Sequence, residues 1–367
     1  MICPGEFSRD LQQWLPQGPQ PLVIAGPCAA ESPEQLMAVA RALCQIPQLG
    51  FFRAGVWKPR TRPGSFQGVG DIALEWLKEV KLETGLPVAV EVASPRHIEA
   101  SLRAGIDVLW IGARTAGNPF SMEEIASALG GVDIPVMVKN PLIPDPALWL
   151  GALERLKRTG VKRLAAIHRG FYPYVHTPYR HDPMWEIPIE LKRQCPELPI
   201  ICDPSHISGD PSLIAGIAQQ ALDLAMDGLM IEVHPDPAKA LSDSGQQILP
   251  EELEAILQSL RIPRAQTPDD SMAWMLTLRR EIDQLDHEMI RILQRRMAVV
   301  GKIGAYKKEQ GISLLQLRRW IEILEDRTRN AEKAGLNKDF VKTLLQIIHK
   351  EALRIQAKGE QGEKETD

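Results

Sequence analysis

The feature that most constrains this chain is a change of hydrophobic period near residue 260. Before it, short apolar runs alternate with amphipathic stretches. The strand candidates are Leu22–Ala25, Phe51–Ala54, Val88–Val92, Val108–Ile111, Val136–Lys139, Leu164–His168, Ile200–Cys202 and Leu229–Val233. Segments such as Glu34–Gln45, Ile72–Thr84 and Pro146–Thr159 carry helical periodicity between them. Eight strands alternating with helices predict a parallel (β/α)8 TIM barrel, class α/β, over residues 1–260. A doubly wound open sheet is the alternative, but no Gly-x-Gly-x-x-Gly follows the first strand.

Residues 261–270, with two prolines and no period, read as a linker. From 271 to 358 the pattern is purely helical and predicts an all-α domain of three helices. Met275, Leu278, Ile282, Leu285, Met289, Ile292, Val299 and Ile303 recur at three- and four-residue steps along the first. Shorter helices follow around 314–334 and 338–357, and the polar tail 359–367 reads as disordered.

Composition excludes several classes. No apolar run reaches membrane-spanning length. The N-terminus lacks a basic region followed by an apolar core, so no signal peptide is expected. Five cysteines without regular spacing argue against a disulfide framework and for a reducing cytoplasm. The net charge of −4 predicts neither a nucleic-acid nor a membrane partner. It is unevenly spread, however: residues 271–358 hold 18 Lys and Arg against 11 Asp and Glu, a local net of +7. Such a segment gathers anions.

Chemistry-bearing residues collect after the predicted strands, where a TIM barrel builds its active site. Arg53-Ala-Gly-Val-Trp-Lys58-Pro59-Arg60-Thr61 sets three cations in a loop that Pro59 keeps out of helix. Arg114, Lys139 and Arg169 follow other strands. Cations converging on one cleft repel one another unless anions sit among them, and arginine grips phosphate and carboxylate in bidentate fashion. Cys28, His206, Glu232 and Asp243 fall at the same rim. Taken singly, each has an ordinary structural role. Together, a thiolate, an imidazole and two carboxylates suit a divalent ion such as Mn, Fe, Co or Zn.

These residues bring out a resemblance. The segments 25–31, 53–68, 111–114, 136–140, 168–170, 202–206 and 228–246 closely resemble 3-deoxy-D-arabino-heptulosonate 7-phosphate (DAHP) synthase of the type Iβ group. That family condenses phosphoenolpyruvate with erythrose 4-phosphate at the head of the shikimate pathway. A sibling family making the eight-carbon homologue carries Lys-Ala-Asn-Arg-Ser where this chain has Lys58-Pro59-Arg60-Thr61. The resemblance implies that Cys28, His206, Glu232 and Asp243 ligate the metal. It implies that Arg53, Lys58, Arg114, Lys139 and Arg169 hold phosphoenolpyruvate, and that Pro59, Arg60 and Thr61 line the aldose phosphate site. The metal would polarise the aldehyde while the enol carbon attacks, with Lys58 protonating the new alkoxide. One departure is Asn140-Pro141 after Lys139, where Arg-Gly is common. Relatives often carry a regulatory domain before the barrel, for which residues 1–20 are too few.

On the long helix, Arg296 and Lys307 are 11 residues apart, roughly 20° around and about 16 Å along the axis, so both reach one small anion. Arg279 lies 17 residues before Arg296, about 26 Å away and roughly 100° around, so it would serve a second copy of the site in a homodimer. Residues 278–356 resemble the all-helical chorismate mutases, intertwined dimers that rearrange chorismate to prephenate. By that resemblance Arg296, and Arg279 from the partner, bind the two carboxylates, Lys307 and Gln356 donate to the ether oxygen, and Arg319 completes the site. Three positions depart: Gln316 for Asp, Trp320 for the Glu that meets the substrate hydroxyl, and Ala352 for Ser. The expectation is a bifunctional enzyme whose barrel is inhibited by prephenate bound to the helical domain. The alternative makes the helical domain a non-catalytic dimerisation and prephenate-sensing module.

Overall fold

The computed structural model describes residues 21–58, 64–173, 177–263 and 270–358. Strands β1 (Leu22–Gly26), β2 (Leu49–Ala54), β3 (Val88–Val92), β4 (Val108–Ile111), β5 (Val136–Lys139), β6 (Leu164–His168), β7 (Ile200–Cys202) and β8 (Gly228–Glu232) close a barrel in chain order. All pairings are parallel, and β8 closes on β1 with Glu232 opposite Gly26. The expected TIM barrel is therefore present. The linker 261–270 falls largely, and the tail 359–367 entirely, outside the described residues.

Local chemistry starts the helices that cross between strands. Ser32, Ser94, Asn118, Asp145 and Asp203 each accept a hydrogen bond from a backbone N–H two or three residues on, and each is followed by proline. The side chain satisfies a donor that the first turn leaves unpaired, and proline lacks one there. Strand side chains then alternate. Ile24, Phe51, Trp110, Met137, Ile167 and Met230 fill the lumen. Val23, Phe52, Val90, Leu109, Val138 and Leu229 face outward, in the same core as Leu36, Leu77, Trp149 and Leu156 of the helices. Apolar layers end at the C-terminal mouth, where buried Arg53, Lys139 and Glu232 take over.

The chain divides into two compact units, up to residue 264 and from 265 onward. The second has a long helix (Asp270–Glu309), a middle helix (Leu317–Lys333) and a last helix (Lys338–Lys358). The long and last helices approach closely at Gly304, where a Cβ would lie 2.8 Å from the Gln356 Cα. Val300, Ala331 and Ala352 are buried in this unit. The periodic stripe of the long helix is not: Leu278, Ile282, Leu285, Met289, Ile292, Val299 and Ile303 are 39% to 61% exposed. Among the described residues no helix is long and apolar enough to cross a membrane, and Cys28, Cys44, Cys195 and Cys202 are free thiols.

His168, at the outer end of β6, is fully buried with its ring centroid 5.1 Å from Trp185, 5.8 Å from Phe171 and 6.5 Å from Trp149. Burial, reinforced by Arg169, pushes its pKa down to about 3. The unfolded chain therefore binds a proton there between about pH 6.5 and 3 that the folded barrel does not. Stability from this group is present above pH 6.5 and falls with pH across that window. Replacing His168→Phe is expected to flatten the dependence of barrel stability on pH between 6 and 4 by about 1 kcal/mol per unit, read from denaturant unfolding. An unchanged slope would contradict it.

Candidate active sites

The mouth of the barrel holds a compact donor set. The Cys28 sulfur and one carboxylate oxygen each of Glu232 and Asp243 lie within 4.8 Å of one another. His206, the fourth expected ligand, stands beside this group rather than within it, its Nε2 3.8 Å from Glu232 Oε1. Asp203 Oδ2, 2.9 Å from His206 Nδ1, orients that ring from behind. The Cys28 thiol donates to Asp243 Oδ2 at 3.2 Å, and the backbone bends to bring Asp243 in, at φ +47°. Burial and the charge of Glu232 push the Cys28 thiol up to about 12. Even beside the Lys58 ammonium this buried thiol keeps its proton, and a metal cation bound among the carboxylates would displace it. This donor set fits a borderline divalent ion.

Beside it lies a cleft lined by Lys58, Glu91, Arg114, Lys139, Arg169, His206 and Asp243. Arg53 sits under its floor, paired with Glu232 at 3.1 Å and stacked on Trp110 at 4.8 Å from the ring centroid. Its Nε and Nη1, and Nη1 of Arg169, are buried and lack a hydrogen-bond partner among the described residues. Burial pushes the Arg169 guanidinium down to about 10; Asp203 opposes this, and Arg180 and Arg114 add to it. An anion would relieve that repulsion. Lys58 Nζ donates at 2.8 Å both to the Cys28 sulfur and to the Cys28 carbonyl. Burial pushes its pKa down, but Cys28 and Glu232 prevail, so the ammonium stays charged.

Several contributors escaped the sequence reading. Asp203 pairs with Lys139 at 2.8 Å. Gln246 donates to Glu232 Oε2 at 2.6 Å, and Arg180 pairs with Asp243 at 3.1 Å. Asn140, the departure after Lys139, accepts from the Arg169 N–H at 2.7 Å and donates to the carbonyls of Gly170 and Pro141. It thereby sets the position of the arginine. Glu91 reaches the cleft across Gly112, where a Cβ would lie 2.1 Å from its carboxylate oxygen. The Asp203-Pro204 cap was the one signal for Asp203. Pro59, Arg60 and Thr61 lie outside the described residues.

In the helical unit a second polar cluster forms. Lys307 is buried and donates to the Leu314 carbonyl at 2.7 Å. Arg296 Nη1, Gln356 Oε1 and His349 Nε2 are buried without a hydrogen-bond partner among the described residues. Burial and the charges of Arg296 and Lys307 lower the His349 pKa, so both cations bear on this ring. His349 stacks on Trp320 with centroids 3.8 Å apart and planes 10° apart. Arg279 is exposed on the long helix, and Arg319 is exposed and paired with Glu322 at 3.1 Å. Of the expected residues, Arg296, Lys307 and Gln356 supply buried polar groups here. His349 was not anticipated.

Comparison with known proteins identifies the family of each unit. Residues 12–263 match the DAHP synthetase I family, and residues 278–357 match chorismate mutase type II. A phospho-2-dehydro-3-deoxyheptonate aldolase of Thermotoga maritima is 31% identical over 65% of this chain and 68% of its own length. A 2-dehydro-3-deoxyphosphooctonate aldolase of Nitratidesulfovibrio vulgaris is 28% identical over 65% of this chain and 90% of its own. Among solved structures, the Thermotoga maritima DAHP synthase superposes with a TM-score of 0.59 at 27% identity, covering 67% of this chain and 73% of that one. The chain belongs to the DAHP synthetase I family and joins to that barrel a chorismate mutase type II domain, so it carries a DAHP synthase and a chorismate mutase in one polypeptide.

Proposed function

We propose that the cleft at the barrel mouth binds phosphoenolpyruvate through Arg53, Lys58, Arg114, Lys139 and Arg169, with erythrose 4-phosphate reaching it from the side of Pro59, Arg60 and Thr61. The observation that supports this most is the set of buried guanidinium N–H groups on Arg53 and Arg169 that no described protein atom satisfies. Phosphate and carboxylate oxygens fill that role. The enol carbon of phosphoenolpyruvate bonds to the aldehyde carbon, water adds to the cation left behind, and the C–O bond to phosphate breaks. Lys58, kept charged, gives its proton to the new alkoxide. Cys28, His206, Glu232 and Asp243 would hold a divalent ion, which supplies Lewis acidity toward the aldehyde oxygen.

In the helical unit Arg296, with Arg279 of a second copy, would hold the two carboxylates of chorismate. Lys307 and Gln356 would face the ether oxygen, where charge develops as the bond breaks, and Arg319 would close the site. Such a rearrangement gains from orientation and preorganised donors, with no nucleophile. The exposed apolar stripe of the long helix supports a homodimer, since single helices rarely leave such a face in water.

Exhaustive chelation is expected to abolish phosphate release from phosphoenolpyruvate with erythrose 4-phosphate, and Mn, Fe, Co or Zn to restore it. Cys28→Ala should raise the metal concentration required about tenfold or more. Activity untouched by chelation would refute the ligand assignment. Asn140→Ala is expected to destabilise the barrel by about 2 kcal/mol and to raise KM for phosphoenolpyruvate, since it orphans the Arg169 N–H. Light scattering should give twice the 40.9 kDa chain mass. Leu285→Asp with Met289→Asp should halve that mass and remove prephenate formation together; a fully active monomer would exclude a site shared between copies.

A further inference from the structure

His349 does not look like a packing residue. It lies on the last helix seven residues before Gln356, which places the two roughly 20° apart and about 10 Å along one face. Buried Ala352 lies between them on the same face. Both His349 and Gln356 present a buried polar atom with no described partner, as does Arg296 opposite them on the long helix. A buried, unpaired ring nitrogen costs about 1–3 kcal/mol unless a ligand satisfies it. The ring is also held in one plane, because Trp320 stacks on it almost parallel at 3.8 Å. A stack of this kind fixes ring orientation and leaves the in-plane nitrogen as the group that recognises a ligand.

Charge decides which group it recognises. Burial holds the imidazole below its ordinary pKa, and the neighbouring Arg296 and Lys307 act in the same direction. Near neutral pH the ring is uncharged, so it adds no third cation for a carboxylate. A neutral imidazole suits an uncharged partner that both donates and accepts. Chorismate offers two carboxylates, an ether and one ring hydroxyl. The cations and Gln356 answer the first three.

We propose that His349, braced by Trp320, is a specificity-determining residue of the mutase site whose Nε2 hydrogen-bonds the ring hydroxyl of chorismate. This rests on the mutase reading of the Arg296–Lys307–Gln356 cluster. Trp320 offers a single donor and no acceptor, and its role here is to aim its neighbour.

The test compares two substrates in the full-length protein: chorismate, and its analogue with hydrogen in place of the ring hydroxyl. Wild type is expected to prefer chorismate in kcat/KM by about tenfold or more. His349→Phe keeps a flat ring on Trp320 but removes the nitrogen, and should bring the two substrates to near parity by lowering the chorismate value alone. His349→Gln, which places an amide near the lost nitrogen, should restore part of the preference. Circular dichroism melting of each variant guards against a folding defect. Equal loss on both substrates would assign His349 a merely structural role and overturn the proposal. So would a preference unchanged in His349→Phe. If wild type forms no prephenate while still condensing phosphoenolpyruvate, the mutase reading itself fails and takes this proposal with it.

Discussion

The carboxylate of Glu232 is the point on which the barrel mouth depends. It ends β8, is fully buried, and is held by Arg53 at 3.1 Å and Gln246 at 2.6 Å, with His206 facing it. A buried carboxylate is costly unless paired and hydrogen-bonded, and removing one partner strands the other charge at about 3–5 kcal/mol. The rest of the rim follows from that pairing. Arg53 is pinned under the cleft by Glu232 and Trp110, leaving its Nε and Nη1 for a ligand. Asp203 repeats the device on the other side, fixing Lys139 and His206 at once. The site is thus a set of charges that compensate one another incompletely. On the proposed reading, the uncompensated remainder is what draws in an anion and a metal.

How far this was legible in the sequence depends on the range of the interactions. The strands could be read because their apolar runs alternate with helical periods and end in cap-proline pairs such as Ser94-Pro95 and Asp145-Pro146. The candidate metal donors and cations could be read because β/α barrels present functional groups at strand ends. Asn140, Gln246 and Arg180 could not. Apart from Pro141 next to Asn140, their partners lie 14 to 66 residues away along the chain, and an amide or guanidinium carries no local mark of the group it will meet. Glu91 was hidden for a related reason: its strand, Val88–Val92, reads as core, and only the missing side chain at Gly112 admits it to the cleft.

The helical unit shows the opposite pattern. Helical spacing put Arg296 and Lys307 on nearly one line, and burial of polar atoms on both agrees with it. The same arithmetic passed over His349, because a lone histidine on a half-buried face is ordinarily a core residue. What marks it is the plane of Trp320 against it and the absence of a partner for Nε2 among the described residues, and both are tertiary facts.

The exposed stripe and the unsatisfied polar groups of that unit have one physical consequence in common. A three-helix chain that buries Val300, Ala331 and Ala352 but leaves Leu285, Met289 and Ile292 half exposed has too little core of its own to be very stable. On the reading proposed above, further stabilisation comes from association through the apolar stripe and from a ligand that satisfies Arg296, His349 and Gln356. Both are mass-action terms, so the stability of this unit rises with chain and ligand concentration. The barrel differs in kind: its two apolar layers are complete within one chain, and only its mouth awaits a ligand. If the proposed dimer and mutase site hold, one polypeptide joins a barrel with a complete core to a unit whose order depends on copies and on ligand, and occupancy of the helical site is felt first in that unit's own stability.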